Sequence, residues 1–343
     1  MKVFIRSIAA ISPQHTFGNV PFLEHIVEYE SNRLQAIEPD YKEYIEPKQS
    51  RRMSRIVRMG VTAALECLRS ADLENIDAIV TGTAYGCLED TGIFLSRLIE
   101  QNEEALSPTA FIQSTHNTVG AQIAITLKAT GYNNTFVHKA FSFESALLDS
   151  ILLLKEGQIK SVLTGGMDEL TNASFDILSR FDLYKKGSIS NLELMNSKTK
   201  GTIAGEGTAF FLLSNMPTEN DFAELIGVAT FYKPSAIEEK IETFLSSHGL
   251  TINDIDCIIS GKNGDYRYNG IYDVLEEELF SNKNVVYYKH LCGEYPTSSS
   301  FALWMGANIS KQREEAGKTT SVLIYNNYQN DYHSLMLLSS INK

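Results

Sequence analysis

The chain has 343 residues, enough for one large domain or two intimate ones around a substantial core. Its formal net charge of −12 excludes nonspecific nucleic-acid binding and leaves any basic docking patch local. No apolar run reaches the length of a membrane span, and Cys67, Cys87, Cys257 and Cys292 stand apart with no CxxC pair, which argues against zinc or a disulfide framework and for a reducing, cytoplasmic setting.

The opening MKVFIRSIAAIS is too short and strand-like for a signal peptide. It predicts a first strand over residues 3–10, followed by an irregular polar segment over 12–47. A helix is expected next, with Ser50 as N-cap and Met53, Ile56, Met59, Ala63, Ala64 and Leu68 on its apolar face. A strand over 76–80, a glycine-bearing loop over 81–89 and a helix over 92–102 follow. Residues 135–150, TFVHKAFSFESALLDS, predict a β-branched strand, a sharp elbow at 139–142, and a helix with apolar residues on nearly every side that Gly157 stops. A strand over 162–164, a polar connection over 185–200, and Gly205-Glu206-Gly207 leading into a strand over 209–213 complete the first part. Residues 214–221, with Pro217, read as a linker. Beyond it, helices over 236–247, 272–280 and 301–311 alternate with strands over 257–260, 285–288, 321–325 and 334–339. Such alternation implies layered α/β architecture.

The elbow gives the pattern a family likeness. A strand-to-helix elbow suits a nucleophile because the helix N-terminus favours a thiolate. The stretch resembles the active-site elbow of the β-ketoacyl-acyl carrier protein synthases, thiolase-fold enzymes with a cysteine there. Ser107-Pro108 leading to His116-Asn117-Thr118 upstream, and Gly165-Gly166-Met167-Asp168-Glu169 downstream, resemble the segments flanking that elbow. Arg51-Arg52-Met53-Ser54-Arg55, Thr81-Gly82-Thr83 and Gly205-Glu206-Gly207 also resemble ketosynthase motifs. The resemblance implies a duplicated thiolase-like α/β fold of five layers (α-β-α-β-α), with halves over residues 1–215 and 216–343 in one compact unit.

Counting inward from either anchor places Ala140 where the family keeps its cysteine. The family's first histidine, in a His-Gly-Thr motif, is matched by Asn263 within Ser260-Gly261-Lys262-Asn263-Gly264-Asp265. Asparagine donates a hydrogen bond but is no acid or base near neutral pH. His290 is matched to the second histidine, with the family lysine expected a few residues earlier displaced to its neighbour Lys289. Ser142 is either a nucleophile awaiting a base or a first-turn cap. Glu144 and Asp149 read as structural carboxylates, paired with Lys139 or with backbone donors. Cys87 and Cys292 lie near motif loops by chance. Tyr325 to Asn330 replaces the family's glycine-rich pocket loop with bulkier residues that would narrow the pocket. Arg51, Arg52, Arg55 and Arg58 form either a docking patch for an acidic carrier protein or a solvated helix face with internal ion pairs.

The resemblance therefore implies a chain length factor, a non-condensing subunit that pairs with an active ketosynthase in polyketide, aryl-polyene or fatty-acid-type synthesis, with acyl carrier protein as a further partner. Phe111, Asn117, Phe136, Val137, Lys139, Phe141 and Ser142 are the candidates for the tunnel or the dimer seam. No cofactor, metal, nucleic acid or membrane is expected. The alternative is a malonyl-carrier protein decarboxylase or weak acyltransferase using His290.

Overall fold

The computed structural model describes every residue except Asn19, Glu74, Ala105, Asn342 and Lys343. Ten strands form one continuous sheet. The first five are β1 (Phe4–Ile11), β2 (Ala78–Gly82), β3 (Tyr132–Phe136), β4 (Ser161–Asp168) and β5 (Gly207–Ser214); the second five are β6 (Ala223–Tyr232), β7 (Cys257–Ser260), β8 (Asn284–Tyr287), β9 (Ser321–Tyr328) and β10 (Tyr332–Ser339). The spatial order is β8-β7-β9-β10-β6-β1-β5-β4-β2-β3. Each set of five thus repeats one order: third, second, fourth, fifth, first. The pairing senses repeat too. The second strand is parallel to its third and fourth, and the fifth is antiparallel to both its neighbours. Among the described residues, the pairs Phe4 with Glu224 and Ile5 with Ala223 join the two sets.

The α-helices longer than one turn are α1 (Arg55–Ser70), α2 (Leu88–Glu100), α3 (Pro108–Gln113), α4 (Thr118–Leu127), α5 (Ser142–Lys155), α6 (Asn172–Ser179), α7 (Ile237–Ser247), α8 (Tyr266–Glu277) and α9 (Ser299–Glu315). Three large apolar clusters show how they layer on the sheet. One joins α5 and α9 to strands of both halves, through Phe143, Leu147, Phe301 and Leu303 against Val80, Phe211, Ile259 and Leu338. A second packs α1 and α4 on the outer face of the first five strands, and a third packs α7 and α8 on the outer face of the second five. The sequence from outside to outside is α-β-α-β-α, the expected five layers. In chain order the first run of the repeated strand pattern ends at β5 and the second begins at β6.

Local details differ from the sequence reading. Ser50 ends a short helix, Pro47–Ser50, and Ser54 holds the N-cap position of α1. The strand β6 went unread altogether. Residues 214–221 are no slack linker: Asp221 is buried, pairs with Arg6 at 3.2 Å and accepts from both the amide and the hydroxyl of Thr218. Tyr325 to Tyr328 continue β9 rather than forming a loop, and residues 329–331 turn into β10, with Gln329 and Asn330 both at φ of +56°. Two consecutive left-handed residues match the twist of a hairpin. α5 is buried on one side only, since Leu152 on its outer side is exposed.

Candidate functional site

The elbow forms where β3 meets α5. Lys139 takes a positive φ of +35°, a 3-10 turn runs over Lys139–Phe141, and α5 begins at Ser142. Gly82 at the end of β2 makes this possible: a Cβ there would lie 2.3 Å from the Ser142 carbonyl oxygen. The Ser142 hydroxyl is fully buried, accepts from the His138 amide at 2.8 Å and donates to the Lys139 carbonyl at 3.0 Å. Both bonds pin the elbow, and neither is to a base, so the nucleophile role falls away. Ala140 is buried and brings only a methyl group to this position. Phe141 stacks on His138 and meets Tyr332 edge-on, which ties the elbow to the β9–β10 hairpin.

Glu144, in the first turn of α5, is fully buried. Its partner is the Ser334 hydroxyl at 2.8 Å rather than Lys139, which lies exposed. Burial pushes its carboxyl up to about 7, against the opposing pull of Ser299, Ser334 and Lys289. Asp149 accepts from Tyr132 on the edge strand at 3.1 Å. Asp168, the acid of the Gly-Gly-Met-Asp segment, accepts from Thr83, from the amides of Ala84 and Tyr85, and from the amide and hydroxyl of Thr297. It fastens the loop after β2 to the start of α9.

The Gly205-Glu206-Gly207 motif is likewise structural. Glu206 is buried in a two-pronged pair with Arg55, at 2.6 and 2.7 Å, and accepts the amides of Ala36 and Leu170. Gly205 lies so close to the second half that a Cβ would sit 2.0 Å from the Cys292 carbonyl oxygen. Arg55 is thereby lost to the proposed basic patch, and Arg58 lies over the Tyr41 ring. The internal ion-pair reading of that helix holds for Arg55.

The chemical positions of the second half converge, but not on His290. The Asn263 amide donates to Glu294 at 2.8 Å, and buried Lys289 pairs with the other Glu294 oxygen. The His290 backbone carbonyl accepts from Asn191, while its buried Nδ1 has no partner; burial pushes its pKa down to about 4, so the ring is neutral. His290 therefore does not stand beside Asn263, and Glu294 does. With Glu294 taken as the counterpart of the second histidine, Lys289 falls five residues ahead of it, restoring the family's lysine a few residues before that position. That spacing was the available signal, obscured by the presence of a histidine nearby.

Asn263 and Glu294 line a pocket with Tyr85, Tyr184, Tyr295 and Tyr328, which leaves about 30 Å³ of room, enough for about two waters. Tyr328 and Gln329 of the hairpin narrow it, whereas Tyr325 turns into the outer core and bonds His333 at 2.9 Å. Cys87 and Cys292 are buried, and burial pushes the first thiol up to about 12 and the second higher still. Neither supplies a thiolate. Among the described residues, no group of three or more His, Cys, Asp or Glu side chains is placed to hold a metal ion, and no helix is long and apolar enough to cross a membrane.

The remaining candidates lie on the surface around β3. Among the described residues this strand ends the sheet and pairs with β2 alone, leaving its other edge unpaired. Val137 just beyond it is 47% exposed, Ile125 on α4 68%, and Phe111 and Ile112 on α3 57% and 64%. The Phe111 ring meets that of Phe94 on α2, a helix with no buried residue. Asn117 and Lys139 are exposed, and Phe136 and Phe141 half-buried.

Comparison with known proteins agrees with this geometry. The family described as β-ketoacyl synthase, N-terminal domain, matches residues 29–180. The 3-oxoacyl-[acyl-carrier-protein] synthase 2 of Synechocystis sp. is 22% identical over 272 residues, 67% of this chain and 65% of its own length. The Staphylococcus aureus enzyme of that name is 20% identical over 207 residues, 55% of this chain and 49% of its own. The chain thus spans about half to two thirds of the length of these relatives. The ishigamide ketosynthase/chain length factor superposes with a TM-score of 0.78 at 15% identity, covering 99% of each chain. The complex of ketosynthase ApeO with its chain length factor ApeC from Xenorhabdus doucetiae gives 0.74 at 14% identity, covering 99% of this chain and 98% of the other. A β-ketoacyl synthase from Burkholderia phymatum gives 0.80 at 12%, covering 99% and 100%. At such identities the structures show the fold. The chain thus resembles ketosynthases in sequence over residues 29–180 and in fold throughout.

Proposed function

We propose that this ketosynthase-like chain is a non-condensing, chain-length-factor-type subunit that pairs with an active ketosynthase in polyketide, polyene or fatty-acid-type synthesis. The observation that carries the reading is the chemistry left at the site. Condensation needs a thiolate to hold the acyl chain and proton-handling donors for decarboxylation. Here Ala140 stands at the elbow, and Asn263 is engaged by a carboxylate that Lys289 already neutralises. The elbow scaffold is nevertheless intact, and the sheet edge beside it offers Val137, Ile125, Phe111 and Ile112 to a partner. An unpaired strand edge flanked by exposed apolar side chains calls for cover. The decarboxylase alternative loses its support, because His290 does not line the pocket with Asn263.

Co-expression with the ketosynthase encoded nearest to this chain tests the reading. The two are expected to co-purify, and Val137→Asp is expected to abolish co-purification and the partner's condensation while leaving this chain folded. A stable monomer with no ketosynthase partner, or a Val137→Asp pair that forms and condenses normally, would overturn it.

A further inference from the structure

Among the described residues the ladder between β1 and β6 ends at Ile5 with Ala223, and β1 shifts register against β5 between Ile5 and Ser7. Beyond that point the two half-sheets part, and a cavity with about 390 Å³ of room opens in the wedge. Ile8 and Ala9 of β1 form one side of it, Glu66 near the end of α1 a second, and Trp304 of α9 a third. Ala9, Glu66 and Trp304 are buried, whereas Val20 and Ser70 at the rim are exposed. The cavity is therefore a pocket with a mouth, and it shares no lining residue with the Asn263–Glu294 site.

Phe22, Phe222 and Trp304 give it three aromatic walls, and Phe301, outside the cavity, braces the indole with ring centroids 5.4 Å apart. Ring-lined space at the junction of two halves favours a flat aromatic guest through offset or edge contacts. Among the described lining residues, Glu66 is the one ionisable side chain. It is 6% exposed. Its Oε2 accepts from both the Tyr44 hydroxyl at 2.9 Å and the Arg69 guanidinium at 2.7 Å, while its Oε1 has no partner among the described residues. Asn308 donates Nδ2 to the Trp304 carbonyl at 2.9 Å, which leaves its amide oxygen as a second acceptor. The Thr16 hydroxyl already donates to the Ala10 carbonyl at 3.1 Å. What the pocket offers is two acceptors and no cation.

We infer that this cavity is a binding site for a compact aromatic amine, its ring held against Trp304 and its ammonium bonded to Glu66 Oε1. A buried carboxylate oxygen without a partner gains most from a charged donor. Indole is also the best aromatic face for a nearby cation, so wall and carboxylate select the same end group. A plain acyl chain would leave both acceptors unmatched. A carboxylate or phosphate ligand would meet Glu66 with like charge and find no lysine, arginine or histidine on the described lining. The site stands apart from the elbow and from the seam offered to a partner, and it does not depend on the pairing.

The chain has a single tryptophan, so labelling with 5-fluorotryptophan places one fluorine resonance at the site. Titration with phenethylamine is expected to move that resonance saturably, and 3-phenylpropionate to bind at least about ten-fold more weakly. Glu66→Gln is expected to weaken phenethylamine at least about ten-fold and to narrow the gap between amine and acid. Because Glu66 also holds Tyr44 and Arg69, a second variant keeps it in place. Ser70→Arg starts from an exposed rim position, where a guanidinium closes the mouth and takes Oε1. Its melting temperature is expected to match the wild type, with the phenethylamine shift gone. No saturable shift in the wild type would overturn the inference, as would equal affinity for amine and acid. Undiminished phenethylamine binding by Ser70→Arg would also overturn it, because the ligand would then sit elsewhere.

Discussion

The Asn263 amide and the Lys289 ammonium share the two oxygens of Glu294, and Lys289 is completely buried. A buried cation held by one carboxylate is costly to orphan. Glu294→Gln keeps an acceptor for Asn263 but removes the charge that Lys289 faces, so a loss of about 3–5 kcal/mol in urea unfolding is expected. Lys289→Met combined with Glu294→Gln should recover most of it. A single-variant loss below about 1 kcal/mol would mean that another carboxylate takes over the lysine; Glu144 is the group already acting on it.

Restoring the thiol should not restore the enzyme. Ala140→Cys puts a sulfur at a helix N-terminus, where a thiolate is favoured, so slow acylation by acyl-carrier protein should be visible by intact mass. Condensation is not expected, because Asn263 cannot exchange a proton and Glu294 is tied up as an ion pair. Condensation within about ten-fold of an active ketosynthase would overturn this account of the site.

Some of this was legible in the chain and some was not, for physical reasons. The elbow at 139–142 is marked by a switch from strand-forming to helix-forming residues, and the glycine motifs at 82 and 205 are needed where backbones touch. The first strand of the second half was missed because Gly227 interrupts it. That glycine leaves space for His248, whose Nε2 would lie 2.4 Å from a Cβ there. Without that strand the repeated order of the two halves could not be seen. His290 matches a residue type, whereas Glu294 keeps the spacing from Lys289 and is the group that Asn263 bonds. Which of them meets Asn263 depends on a loop path that only the fold decides.

Glycines separate cleanly by what surrounds them. Gly82→Ala drives a methyl into the backbone of Ser142 and Phe143, which cannot give way as a side chain would. It should cost at least about 2–3 kcal/mol. Gly92 in α2 and Gly270 in α8 have open space within 4 Å of where a methyl would sit, and neither has a positive φ. Alanine at either should stabilise by about 0.5–1 kcal/mol. Thermal or urea unfolding of the three variants checks the order, and a neutral Gly82→Ala would show that β2 can move away from the elbow.

Glu144 should make the fold less stable as the solution becomes more alkaline. Its carboxyl titrates near 7 in the folded chain, against an ordinary 4.5, because burial outweighs the hydroxyls of Ser299 and Ser334 and the charge of Lys289. Between those two values the folded state keeps a proton that the unfolded chain releases. Stability therefore falls as pH rises through that window; below it there is no penalty, and above it the full one applies, on the order of 3 kcal/mol. Asp168, pushed up to about 6, and Glu169, up to about 7, act in the same direction, so the wild-type slope exceeds that of one group. Glu144→Gln keeps an oxygen for Ser334 and carries no charge to bury. Urea unfolding at about pH 5.5 and about pH 8 should show the wild type losing more stability than the variant across the interval. Equal losses would mean that Glu144 is ionised throughout, with Lys289 holding its charge.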